Sequence, residues 1–232
     1  MKTSEREKYL GDILTSDCKI DETVRDRYNK GIGIVNQIVS ILKEISFGVY
    51  FFEMALQFRT SMLLNGILYS SEAFISLSDK HINMLEECDL MLMKKIFEAP
   101  SSTPKESFFL ETSVLPVKFV LIGRRIMFLW SILNKNESEL VKQVYNVQRS
   151  FPFKESWASL VWNDLEKCNI DIIEESLKKM KKHKLKTLIK KKLKEKSNEN
   201  LMEHQAKHSK SINLEISDPQ EYLPSEEEKA FV

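Results

Sequence analysis

The 22 residues Phe47–Leu68, FGVYFFEMALQFRTSMLLNGIL, decide the fold class. Their polar members Glu53, Gln57, Ser61 and Asn65 recur at i+4 steps and make one narrow stripe, while apolar side chains fill the rest of the circumference. A helix apolar on nearly every side is buried, so this stretch predicts the central helix of an α-helical core. Arg59 lies off the polar stripe. A buried arginine needs an acidic partner, and Glu53 and Glu72 are the candidates in its neighbourhood.

Outward from this helix the same period recurs. Val24, Tyr28, Val35, Ile38, Leu42 and Ile45 follow the spacing of an amphipathic helix starting near Ile20, with Asp21 and Glu22 where the helix dipole favours acids. Gly31 and Gly33 interrupt it at about 1 kcal/mol each relative to alanine, which implies a close neighbour or a bend. Further upstream, Lys8–Leu14 (KYLGDIL) before the turn-forming Thr15-Ser16-Asp17 predicts a strand. Downstream, Ser78 or Asp79 opens a helix to Glu98, stopped by Pro100. Capping boxes at Thr103/Glu106, Asn136/Glu139 and Asp171/Glu174 predict helices over 104–112, 137–149 and 172–196. Pro116 starts a helix to Leu133, and Lys154–Cys168 reads as another.

Glycine and proline number 6 each in 232 residues, well under half of their usual combined share of about 12%. A sandwich or barrel would need more turns. The expected fold is therefore mainly α, a multi-helix bundle with a short N-terminal β-strand or hairpin and a disordered C-terminal tail. Its expected divisions are a strand or hairpin over 1–19, a helical body over 20–168, a basic amphipathic helix over 169–196 and an acidic, largely disordered tail over 197–232. Val114–Leu133 is apolar, but Lys118, Arg124 and Arg125 each oppose insertion by roughly 2.5–3.5 kcal/mol, which outweighs its apolar residues. It reads as a buried amphipathic helix, and no membrane span is expected. The charged N-terminus shows no signal peptide, and the three cysteines, Cys18, Cys88 and Cys168, have no metal or redox spacing. An intracellular protein, nuclear or cytoplasmic, is expected.

The net charge of +1 conceals an uneven distribution. Lys178–Lys196 holds eleven lysines and one acid, whereas 197–232 holds eight acids and three lysines. Such blocks are typical of interaction segments. Leu177, Met180, Leu185, Leu188, Ile189 and Leu193 lie among these lysines. The pattern suits a basic amphipathic helix meeting nucleic acid, an anionic membrane surface or a partner groove, or a solvated helix docked by its own leucines. Lysine without arginine or aromatics favours unspecific phosphate attraction over base reading. Lys190-Lys191-Lys192 is also compatible with a nuclear signal.

Catalytic signatures are missing: there is no G-x-S-x-G, P-loop, H-E-x-x-H or C-x-x-C. Gly31-Ile32-Gly33 lacks the strand and third glycine of a dinucleotide site. His204 and His208, four apart, have no third ligand nearby and read as a solvated pair. Glu86, Glu87 and Asp89 read as a solvated helix face, and Cys88 as core. No cofactor, metal or catalytic residue is implied.

Lys8-Tyr9-Leu10-Gly11, then a turn and a long helix with Arg25, Arg27 and Lys30, begin an ordered series of short motifs. It continues through Phe58-Arg59-x5-Asn65-Gly66-x2-Tyr69-x2-Glu72-Ala73, Ser101-Ser102-Thr103-Pro104, and Leu110-Glu111-Thr112-x2-Leu115-Pro116 followed by Arg124-Arg125. In this order, over roughly residues 7 to 195, the chain resembles the C-terminal part of a non-LTR retrotransposon reverse transcriptase, an RNA-directed DNA polymerase. The resemblance implies that Tyr9, Leu10 and Gly11 occupy a primer-grip strand or hairpin. It further implies that residues 20–168 correspond to the thumb and post-thumb, with Arg25, Lys30 and Lys43 placed for contacts to a nucleic-acid backbone. The sequence departs from the family at the polymerase site, since it contains no Asp-Asp pair to hold the two metal ions. It departs also at Cys18, in a turn where relatives tend to have glycine.

The function expected from these readings is that of a non-catalytic, truncated remnant with at most weak, sequence-independent binding to RNA, DNA or an RNA–DNA hybrid. The expected contacts add Lys178, Lys179, Lys181, Lys182, Lys190, Lys191 and Lys192 of the basic segment. The alternatives are a helical module that meets a protein partner through its basic helix, or a relic without function. The near-neutral body favours the protein partner, because a dedicated nucleic-acid domain is usually more basic.

Overall fold

The computed structural model describes residues 6–9, 12–17, 19–45, 50–74, 77–151 and 156–216. The chain is mainly helical, as the scarcity of turn residues implies. The expected strand over 8–14 is instead an antiparallel hairpin of β1 (Arg6–Tyr9) and β2 (Asp12–Thr15), with Tyr9 opposite Asp12. Two residues between strands is the commonest hairpin connection, which the apolar run alone did not reveal. Thr23 latches the hairpin to the body: its hydroxyl accepts from Ile13 N (2.9 Å) and donates to Ile13 O (3.0 Å).

The first core forms around α1 (Asp21–Lys43), whose Val24, Val35, Ile38 and Leu42 are buried. Against it pack α2 (Phe51–Phe58), a π-helical turn (Arg59–Leu64), α3 (Asn65–Ile67) and α4 (Asp79–Ile96). Gly31 explains itself here, because a Cβ would stand 2.7 Å from Cys88 Sγ and 2.8 Å from Ile67 Cγ2, so α1 meets α3 and α4 only without a side chain. Gly33 has open space instead. Ser78 caps α4 by accepting from His81 N, and His81 Nδ1 accepts from Ser78 N.

Arg59 is buried as expected, but neither Glu53 nor Glu72 is its partner. Its Nε and Nη2 donate to the two carboxylate oxygens of Asp89, each at 2.6 Å, and Nη2 also donates to Leu115 O at 2.8 Å. The reading of Glu86, Glu87 and Asp89 as one solvated face is corrected accordingly. Asp89 and Glu86 are buried, and Glu87 alone of the three is exposed. Cys88 is core, as read.

The second core packs α6 (Val117–Leu133) against α7 (Leu140–Ser150), α8 (Trp157–Lys167), α9 (Glu174–Lys179) and α10 (Lys182–Ile216). α6 joins the two cores: Val117 belongs to the first and Ile122, Ile126 and Leu129 to the second. Arg125 is buried in a pair with Asp164 (2.6 Å), and burial raises the Asp164 carboxyl against the pull of Arg125. Among the described residues no helix is long and apolar enough to cross a membrane.

The capping boxes are corrected in detail. α5 (Lys105–Thr112) starts behind Pro104 with no side-chain cap. Asn136 N does donate to Glu139 Oε1 (3.2 Å), yet α7 begins only at Leu140. The expected helix over 172–196 is two helices, since Met180 is extended between α9 and α10 and its carbonyl accepts from Trp130 Nε1 (3.0 Å). α10 also runs past the expected boundary at 196, because Ser197 and Leu201 continue its buried stripe. The reading of 197–232 as a disordered tail is thereby corrected for 197–216, and 217–232 lie outside the described residues.

Candidate functional site

On α10 the phase of the apolar residues fixes where the charges go. Leu185, Ile189, Leu193, Ser197 and Leu201 repeat at i+4 and are buried against α5 and α6. The lysines one position further on, Lys186, Lys190 and Lys194, are thereby held exposed in a second row, which Lys182 extends by one turn. At 1.5 Å per residue the four lysines span about 18 Å in steps of about 6 Å. Among the described residues none of them has a carboxylate within 4 Å. Lys191 and Lys192 differ, for both lie by Glu195 (4.0 and 3.3 Å).

Lys186, Lys190 and Lys194 share a groove of about 670 Å³ with residues of α6, the π-helical turn and the segment joining α5 to α6. Among the described residues no aspartate or glutamate lines it. Its floor is apolar and includes Leu64, Val120, Met127, Ile189 and Leu193. Gly123 lets α10 come close, as a Cβ there would lie 3.0 Å from Leu193 Cδ1. Arg124 adds a fixed cation: its guanidinium donates to Leu68 O (2.8 Å) and Asn65 Oδ1 (2.7 Å) at the end of α3. Burial lowers its pKa from the usual arginine value, with Glu72 opposing, and it has no ion pair among the described residues.

The expected N-terminal contacts do not form such a surface. Tyr9 closes β1, while Leu10, Gly11 and Cys18 lie outside the described residues. Arg25 and Lys43 are exposed on α1 but stand about 27 Å apart along its axis. Lys30 pairs with Asp26 at 2.8 Å, and Lys8 reaches the same carboxylate at 3.5 Å. The hydrogen bond from Lys30, helped by the charges of Lys30 and Lys8, holds Asp26 below its ordinary value. Arg27 is buried in a pair with Asp12. Of the basic segment, Lys178 and Lys179 are exposed on α9, Lys181 at the break before α10 and Lys182 at the start of α10. Lys190 lines the groove, whereas Lys191 and Lys192 are absent from its lining.

Sequence reasoning missed Lys186, Lys194 and the position of Arg124. The signal for the lysines was available: each follows a leucine or isoleucine of the buried row by one residue. The signal for Arg124 was not, because its carbonyl partners are 56 to 60 residues away. His204 is exposed on α10. Burial pushes the Cys88 thiol up to about 12 and the Cys168 thiol up to about 11, so neither is a ready nucleophile.

No family model, curated protein or solved structure matches the chain.

Proposed function

We propose that the chain is a non-catalytic helical module that binds the phosphate backbone of RNA or DNA weakly and without sequence preference, related in origin to the thumb and post-thumb of a non-LTR retrotransposon reverse transcriptase. The observation that carries the binding is the row of four exposed lysines at i+4 steps along one face of α10, with no carboxylate within 4 Å among the described residues. Lysines that carry no structural duty are free to replace counterions on a nucleic acid. The relation in origin rests on the ordered motifs from Lys8 to Arg125, and the missing Asp-Asp pair supports the non-catalytic part. Leu177, Leu185, Ile189 and Leu193 belong to the protein's own core, so a nucleic acid meets the lysine face rather than the leucines.

The test is fluorescence anisotropy of a labelled RNA–DNA hybrid titrated with the full chain across a salt series. Binding that falls steeply as salt rises, with each phosphate contact adding nearly one unit of log–log slope, supports the reading. Truncation before α9 is a poor control, because it removes the buried side chains of Leu177, Leu185, Ile189, Leu193 and Leu201. No binding at low salt would overturn the proposal and leave a protein partner or a relic.

A further inference from the structure

The groove beneath the lysine row has a property that phosphate attraction does not use. Its floor, built by Leu64, Val120, Met127, Ile189 and Leu193, is apolar, and Phe119, the aromatic of its lining among the described residues, is buried and offers no open face for a base to stack on. A nucleic-acid backbone would leave that floor wet. A cavity of about 670 Å³ with mostly apolar walls and a few convergent charges has the character of a small-molecule site, for which volumes of roughly 300–1,000 Å³ are usual. Every charged group in the lining is a cation. Arg59 is already neutralised by Asp89, so Arg124 and the three lysines set the sign of the groove.

We infer that this groove binds a free anionic amphiphile, a single-chain molecule with one carboxylate, sulfonate or phosphate head and an apolar body. The body lies on the apolar floor between α6 and α10, and the head meets Arg124 or the lysine row. Charge complementarity selects the head: an acidic head finds donors on α10 and α6, and among the described residues no carboxylate lines the groove. The inference goes beyond nucleic-acid binding and does not rest on it. The two uses share the lysines but only the amphiphile needs the floor.

The experiment follows the fluorescence of 1-anilinonaphthalene-8-sulfonate bound to the full chain and its displacement by dodecanoate, dodecanol, inorganic phosphate and vesicles of mixed anionic lipid. Saturable displacement by dodecanoate below its micellar range, with dodecanol and phosphate much weaker, is the expected result. K186Q/K190Q/K194Q weakens dodecanoate about tenfold, the combined effect of three modest exposed charges. Thr60→Trp, an exposed position at the groove, obstructs the floor while leaving every cation in place. It abolishes displacement by dodecanoate yet preserves the salt-dependent anisotropy signal, which separates failure of this inference from failure of the nucleic-acid reading. Equal displacement by dodecanol or by phosphate, no change in either variant, or a response to vesicles alone would overturn it.

Discussion

Arg27 and Arg59 in the N-terminal half carry their charge into the fold, where Asp12 and Asp89 receive it, whereas Lys182, Lys186, Lys190 and Lys194 on α10 face solvent with no carboxylate within 4 Å among the described residues. Lys30 and Lys8 stand between the two groups, exposed but paired with the same carboxylate of Asp26. The contrast teaches that, in a chain of net charge +1, an interface is located by where unpaired cations stand together on one face rather than by how many cations there are. Buried pairs hold helices in register and are costly to break from one side. Exposed lysines cost the fold almost nothing to remove, and what they do is visible only toward a partner.

The largest effect expected from this contrast is at Arg59. Arg59→Met leaves Asp89 charged and fully buried and Leu115 O without its donor, and costs about 3–5 kcal/mol of stability by urea denaturation. A loss below 1 kcal/mol would show that the N-terminal pairs are as dispensable as the lysines. Thr23→Val ranks next. It removes both bonds that tie Ile13 to α1 and is expected to cost about 1–3 kcal/mol, with the hairpin amides showing the greatest gain in hydrogen exchange.

On the other side, K182Q/K186Q/K190Q/K194Q is expected to change stability by less than about 0.5 kcal/mol in the same assay. A larger loss would give the lysine row a structural task and erase the contrast. The smallest effect concerns pH. Burial raises the Glu86 carboxyl, with Lys105 at 3.2 Å opposing, so the folded chain holds this proton to a higher pH than the unfolded chain does. The native state then binds more protons over that window, and stability declines as pH rises from the ordinary glutamate range through the raised value. Glu86→Gln makes that decline shallower in urea titrations between pH 4 and 7, and Asp164, raised in the same way, keeps the remainder.

Local signals in the sequence led to correct structure, and distant partnerships stayed hidden. The spacing of Val24, Val35 and Leu42 reports on burial directly and its helix is present, whereas the single buried helix expected over Phe47–Leu68 is α2, a π-helical turn and α3, with only Ala55 of α2 buried and residues 47–49 outside the described ones. Asp89 looked solvated because its neighbours Glu86 and Glu87 are acids, while the arginine that buries it lies 30 residues earlier. The break at Met180 was not legible, since Trp130, 50 residues upstream, captures its carbonyl. The end of the basic helix was misplaced for a related reason: the change from lysine to acid near 197 is a change of surface, and the buried row passes through it unaltered. For the candidate site the charge block was plain in the sequence. The division of its lysines into a groove row and a row paired by Glu195 required their phase against Leu185, Ile189 and Leu193.

The most direct test of the central claim is the salt dependence of anisotropy for a labelled RNA–DNA hybrid, measured with the unaltered chain, with K182Q/K186Q/K190Q/K194Q and with Arg25→Gln/Lys43→Gln. The account expects the four-lysine variant to lose about three units of log–log slope and the α1 variant to keep the parent slope. Equal slopes for the parent and the four-lysine variant, or a loss confined to the α1 variant, would contradict it.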